Sequence, residues 1–178
     1  LASAQPYFLA DLWGSKEMKD AVSKGEFYTR MNERSSKPWD LANAENYKRY
    51  KQVILSILYA KRQTSFRYWG KDDYNHKPII DAMEQCYPGV TSYLNGYGQT
   101  YGDNALAIAM QQAESKVFIG NILTSLQNLD IPAVPIHDSI MCRKCDTHLL
   151  EEIMRKHLVA ATGIDPVLKI SGNSINTP

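Results

Sequence analysis

The sequence predicts an α+β fold in which helices pack around a small antiparallel sheet. Apolar residues recur at helical spacing along most of the chain, and one segment, residues 131–142, switches to a β signal. No internal repeat or low-complexity linker interrupts the 178 residues. A hydrophobic fraction of 44% lets the chain bury a core, as one compact domain or as part of a larger one.

Residues 5–31 read as helical, with Phe8, Leu9, Leu12, Met18 and Val22 near helical spacing around a Gly14-Ser15 interruption. Residues 32–40, with Ser35, Ser36 and Pro38, read as a loop. The longest helical pattern follows over residues 42–63, where Val53, Ile54, Ile57 and Leu58 form an apolar face. Residues 70–77 are a polar break and residues 78–86 a short helix, which Tyr87-Pro88-Gly89 ends. A helix over residues 104–128 leads into the β segment. There, Ala133, Val134 and Ile136 precede His137-Asp138, and Ile140 and Met141 follow: a hairpin with two polar residues at its tip, whose strands are expected to bury Val134, Ile136 and Ile140. Residues 146–162 form an amphipathic helix with Leu149, Leu150, Ile153, Met154 and Leu158 inward and Gly163 as its C-cap. A last strand is expected over residues 167–170. The chain divides into residues 1–40, a helical region at 41–100, and residues 101–178 with the hairpin.

A formal net charge of +1 does not point to an anionic partner, so the distribution of charge must decide. No stretch reaches the apolar length of a membrane span, and the first residues lack the pattern of a secretory signal, so a soluble, cytoplasmic protein is expected. Three cysteines, Cys86, Cys142 and Cys145, are too few for a disulfide framework and suit a reducing compartment. Leu1 is not an initiator Met, and the chain reads as a fragment of a longer one.

Two segments carry chemistry. A hairpin tip can fix the carboxylate of Asp138 on rigid backbone, as a metal ligand requires; an ordinary polar turn is the alternative. Between Tyr47 and Lys71 stand seven basic residues, Lys48, Arg49, Lys51, Lys61, Arg62, Arg67 and Lys71, with no Asp or Glu. Such a cationic helix suits phosphates, although a solvated basic face is the commoner meaning of a charge run. Lys51 and Tyr59 are eight residues apart. At ~100° per residue they fall within roughly 80° of each other, so an ammonium and a ring share one side of the helix. Cys142-Arg-Lys-Cys145 with His148 has the spacing of half a zinc site, with Cys86 the only further thiol; two ordinary cysteines at a strand end read more simply. Glu114 could add a carboxylate near the hairpin or lie solvated on its helix.

The run from Lys51 to Tyr59 resembles the fingers-helix motif of family A DNA polymerases and single-subunit phage-type RNA polymerases. Ile136-His137-Asp138-Ser139 is similar to their third palm motif. Tyr87-Pro88-Gly89-Val90 with Tyr93 resembles the segment after the fingers helix, Met110-Gln111 resembles the palm-helix Gln motif, and Ala4-Gln5-Pro6 falls where the first palm motif ends. Together these matches cover nearly the whole chain in order.

The resemblance implies a palm-and-fingers core, two Mg2+ ions, nucleoside triphosphates and a DNA primer-template, with other domains of a parent polymerase. By carry-over, Asp138 binds metal, His137 supports the primer end, Lys51 grips the incoming phosphates and Tyr59 stacks by the nucleotide. Gln5 senses the sugar, Lys48 and Arg49 assist at the nucleotide, and Gln111, Lys61 and Arg62 meet nucleic acid. The family's first-motif Asp falls immediately ahead of Leu1, so one metal ligand is expected outside the chain. Ala60 stands where the family has Gly, and Tyr47 where it has Arg. Ser139 is closer to the RNA-polymerase and phage branches. The expected activity is template-directed nucleotidyl transfer; the alternatives are a phage-type RNA polymerase and a non-catalytic nucleic-acid-binding replication module.

Overall fold

The structure is a computed structural model that describes residues 1, 4–59 and 76–171. The first three helices are α1 (Ala4–Trp13), α2 (Lys16–Ser23) and α3 (Phe27–Arg34). Gly14, with φ 76°, ends α1, and the Ser15 hydroxyl caps α2 by accepting the Met18 N–H at 3.3 Å. A second break, absent from the sequence reading of residues 5–31, falls at Gly25, whose φ of 72° only glycine adopts cheaply. A Cβ there would sit 3.4 Å from the Val167 side chain, so the missing side chain also makes room for the end of the chain. α3 runs three residues into the expected loop, to Arg34.

Helix α4 (Ala44–Leu58) starts at Asn43, whose side chain accepts the N–H groups of Glu45 and Asn46 at 3.0 and 3.1 Å. It buries Tyr50, Ile54, Ile57 and Leu58. Its expected continuation beyond Tyr59 lies outside the described residues. Helix α5 (Lys77–Cys86) has proline at its N-terminal end, where the missing N–H costs nothing.

Helix α6 (Val90–Tyr101) is a correction to the sequence reading, which left residues 90–103 without an element. Val90, Tyr93, Leu94, Tyr97 and Tyr101 do recur at helical spacing, but Gly96 and Gly98 interrupt the pattern and only Val90 is fully buried. Its first turn is capped from outside: the Glu84 carboxylate accepts the N–H of Gly89 at 2.6 Å and of Thr91 at 3.1 Å. Tyr93, Tyr97 and Tyr101 line one side, with ring centroids 5.9 and 4.7 Å apart, and Tyr93 stacks on Trp13 at 5.6 Å.

The helix expected over residues 104–128 is continuous but not uniform. α7 (Ala105–Ser115) passes through a π-helical stretch, Lys116–Leu123, into α8 (Thr124–Asn128). Strands β1 (Ala133–Ile136) and β2 (Ser139–Cys142) pair antiparallel, with Ile136 opposite Ser139. Helix α9 (Thr147–Thr162) ends at Gly163, whose φ of 69° makes the left-handed cap expected of it.

The coarse class is therefore the expected one, mostly helical with a two-stranded antiparallel sheet. The faces of several elements differ. Val134, Ile136 and Met141 are exposed, and the partly buried side of the hairpin is Ala133, Pro135, Ile140 and Cys142. The alternation is real but its phase is opposite for β1, because period 2 alone does not say which face meets the core. Leu12 and Leu149 also lie exposed at their helix edges. Residues 167–170 form no strand; the segment packs by Leu168 against the core instead.

One buried cluster extends from Tyr7 to Ile164. Tyr7 joins its ends: the phenol meets the Thr162 hydroxyl at 2.7 Å and donates to the Ile164 carbonyl at 2.8 Å. The cluster also holds a polar misfit, because Tyr50 is 0% exposed and its hydroxyl has no hydrogen-bond partner. Tyr50→Phe is thus expected to raise the melting temperature by about 2–4 °C, for about 1 kcal/mol of relieved desolvation. A lower melting temperature in thermal denaturation would mean that the hydroxyl is satisfied. No described helix is long and apolar enough to cross a membrane.

Candidate functional site

His137 and Asp138 are the two residues between the paired ends of β1 and β2. His137 adopts φ 51°, a left-handed value that a two-residue hairpin turn demands and a non-glycine residue adopts at a cost. The Ser139 hydroxyl steadies the turn by donating to the Ile136 carbonyl at 2.7 Å. His137 is exposed and Asp138 half-buried.

Three other parts of the chain converge on this tip. The Leu1 ammonium donates to the Asp138 carbonyl at 3.0 Å. Burial pushes that ammonium's pKa down, while the charges of Asp138 and Glu114 push it up and those of Lys169 and Lys51 push it down. From α4, Lys51 is half-buried; burial lowers its pKa, the Lys169 charge lowers it further, and Asp138 opposes both. From α7, burial raises the Glu114 carboxyl, and the neighbouring Asp138 charge raises it more. His137 and the Leu1 ammonium act on Glu114 in the opposite direction.

Tyr59 follows the last turn of α4 and is half-buried. Burial raises its phenol, Glu114 adds to the rise, and a hydrogen bond with the Gln5 side chain opposes it. Gln5, on α1, thus lies beside Tyr59, on which Glu114 acts by its charge. A cleft opens on the other side of Tyr59, lined by Leu94, Asn95 and Gly98 of α6 and by Asp103 and Asn104 before α7.

The Lys51 ammonium lies over two rings, 5.3 Å from the centroid of Tyr28 and 5.7 Å from that of Tyr47. Lys48 and Arg49 are exposed on the same helix, and neither is among the charges acting on Lys51. Gln111 is exposed on α7, one turn ahead of Glu114. Lys61 and Arg62 lie outside the described residues, as do Arg67 and Lys71.

The chain matches no protein-family model, no curated protein and no solved structure. The chemistry available to it follows from the groups themselves. Two carboxylates, Asp138 and Glu114, repel one another beside a partly buried ammonium, an arrangement that a divalent cation and an anionic phosphate can occupy side by side. The donors are oxygens, which suit a hard cation such as Mg2+. Among the described residues no group of three or more His, Cys, Asp or Glu could by itself hold a metal ion.

The thiols have other engagements. Cys86 is buried, donates to the Arg30 carbonyl at 3.4 Å and accepts from the Arg34 guanidinium at 3.4 Å. Cys142 donates to the Arg143 carbonyl, and His148 faces Glu152 at 3.4 Å.

Sequence reasoning did not find Lys169, Tyr28 or the Leu1 ammonium as members of this neighbourhood. Lys169 stands in a segment read as a strand, and Tyr28 was one apolar helix residue among many. Nothing in spacing along the chain could signal either, since their proximity to Lys51 is tertiary.

Proposed function

We propose that the chain is the palm-and-fingers part of a template-directed nucleotidyltransferase of the family A type, acting on a DNA primer-template and nucleoside triphosphates with two Mg2+ ions. The observation that carries the reading is that Asp138 at the hairpin tip interacts with Lys51 of α4 and Glu114 of α7, while Glu114 also acts on Tyr59, beside which Gln5 of α1 stands. Four of these five are residues that the resemblance marks independently of any structure.

Asp138 would hold metal at the tip, and Glu114 lies close enough to share its charge. The Leu1 nitrogen lies 3.0 Å from the Asp138 carbonyl, so a carboxylate on a residue immediately ahead of Leu1 would stand near the tip and could complete the pair. Bound metal would supply charge neutralisation on the attacking and leaving oxygens. Lys51, with three N–H donors on a partly buried ammonium, would bind the triphosphate, and Tyr59 would stack by the nucleotide with Gln5 fixing its hydroxyl. His137 would meet the primer end, and Gln111, Lys48 and Arg49 would contact nucleic acid or phosphate from exposed positions.

Primer extension tests this reading, using the chain together with its natural upstream sequence, Mg2+, a labelled primer-template, and dNTPs or rNTPs in separate reactions. Extension with dNTPs is the expected result. Extension with rNTPs alone would identify a phage-type RNA polymerase, and template binding without extension by either set would identify a binding module. In the same assay, Lys51→Ala is expected to raise the KM for nucleotide about tenfold or more, as loss of a charge-assisted phosphate contact does, while primer-template affinity changes little. Equal losses of both would reduce Lys51 to one charge of a basic patch.

A further inference from the structure

Lys51 is held by aromatic rings. Among the described residues its ammonium has no carboxylate at ion-pair distance; its close neighbours are the faces of Tyr28, from α3, and Tyr47, one turn earlier on α4. The two rings meet each other edge to face, with centroids 6.1 Å apart and planes at 80°. Tyr28 is itself anchored: it is 3% exposed and meets Phe27 edge to face at 5.1 Å, and Phe27 stacks on Tyr87 at 5.3 Å with planes 8° apart. The aromatic array therefore runs from the core to the ammonium.

We propose that Tyr28 and Tyr47 form a two-ring cradle that positions the Lys51 ammonium for an inorganic or nucleoside triphosphate, so that both tyrosines are positioning residues for phosphate binding. The proposal rests on the reading of Lys51 as a phosphate ligand and adds what holds it there. A ring face attracts a cation through its quadrupole and takes up none of its N–H donors as a carboxylate would. A carboxylate partner would have to be displaced, or would repel the incoming phosphates; two rings do neither. The cradle also gives a physical role to Tyr47, which stands where the resembled family carries a second cation. Both rings come from helices packed into the core, so the ammonium is placed before the ligand arrives and less side-chain freedom is lost on binding.

The test is calorimetric titration of the chain with inorganic triphosphate in Mg2+, with position 47 varied by Tyr47→Phe and then by phenylalanines of increasing ring fluorination. These rings are nearly isosteric, so folding is preserved while the quadrupole weakens in steps. Tyr47→Phe is expected to bind as the unaltered chain does, and affinity is expected to fall stepwise with fluorination, by about tenfold in all. In a Lys51→Ala background the same series should be flat. An affinity indifferent to fluorination, with Lys51→Ala still weakening binding, would overturn the cradle and leave the nucleotidyltransferase reading standing. Binding by Lys51→Ala as tight as that of the unaltered chain, or no triphosphate binding by the unaltered chain, would instead overturn the phosphate site on which the cradle depends.

Discussion

Asp138→Ala is expected to lower metal-dependent nucleotide incorporation by about a thousandfold or more, the scale on which charge-neutralising groups act in phosphoryl transfer. Primer-template affinity should be nearly unchanged in the same protein. On the proposed reading the two readouts separate because the Asp138 carboxylate would act on cations, whereas duplex binding depends on cationic and hydrogen-bonding groups facing phosphates. The hairpin should survive the change, since it is held by the β1–β2 pairing and by the Ser139 hydroxyl on the Ile136 carbonyl, and not by the Asp138 side chain. Steady-state incorporation at saturating Mg2+, alongside equilibrium binding of labelled primer-template, is the measurement. Retained activity in Asp138→Ala would remove Asp138 from the metal site. Loss of template binding together with activity would mean that the tip holds the template instead.

Phe27→Ala should have the largest effect on stability. Phe27 is 0% exposed, stacks on Tyr87, and meets Tyr28 edge to face. Truncating a buried phenylalanine to alanine costs about 3–5 kcal/mol, part lost transfer energy and part unfilled cavity. In a chain of this length that corresponds to a melting temperature lower by about 10 °C. Because Tyr28 leans on the removed ring and carries Lys51, the same change should also weaken triphosphate binding at temperatures where the protein is still folded. Phe27→Leu fills most of the volume and should recover most of the stability but not the edge-to-face contact. A drop of only a degree or two for Phe27→Ala in thermal denaturation would show that the α3–α5 side of the core closes over the gap.

How much of this was legible along the chain depends on the range of the physics involved. Local signals carried far: Gly163 caps α9, and the period-2 pattern around His137-Asp138 marks the strands that pair. Caps and periods are properties of neighbouring residues, so sequence contains them. Helix α6 was missed although Tyr93, Tyr97 and Tyr101 recur at helical spacing, because Gly96 and Gly98 interrupt the pattern and its first turn is satisfied by Glu84 from the preceding helix. The phase of β1 was not legible either. Val134 and Ile136 are as apolar as a core strand requires, yet the core lies on the side of Ala133 and Pro135.

The candidate site divides in the same way. By itself the sequence determined which side chains could do chemistry: the acidic tip at Asp138, the Lys51–Tyr59 spacing on one helix, and the unusual run of bases without acids. Only the tertiary structure decided that Asp138 acts on both Lys51 and Glu114, that Gln5 lies beside Tyr59, and that Tyr28 and Lys169 belong beside Lys51. The physical reason is that charge interactions and ring contacts fall off with distance through space, and the distances between α1, α3, α4, α7 and the hairpin are set by how the helices pack around Tyr7, Phe27 and Tyr50, not by spacing along the chain.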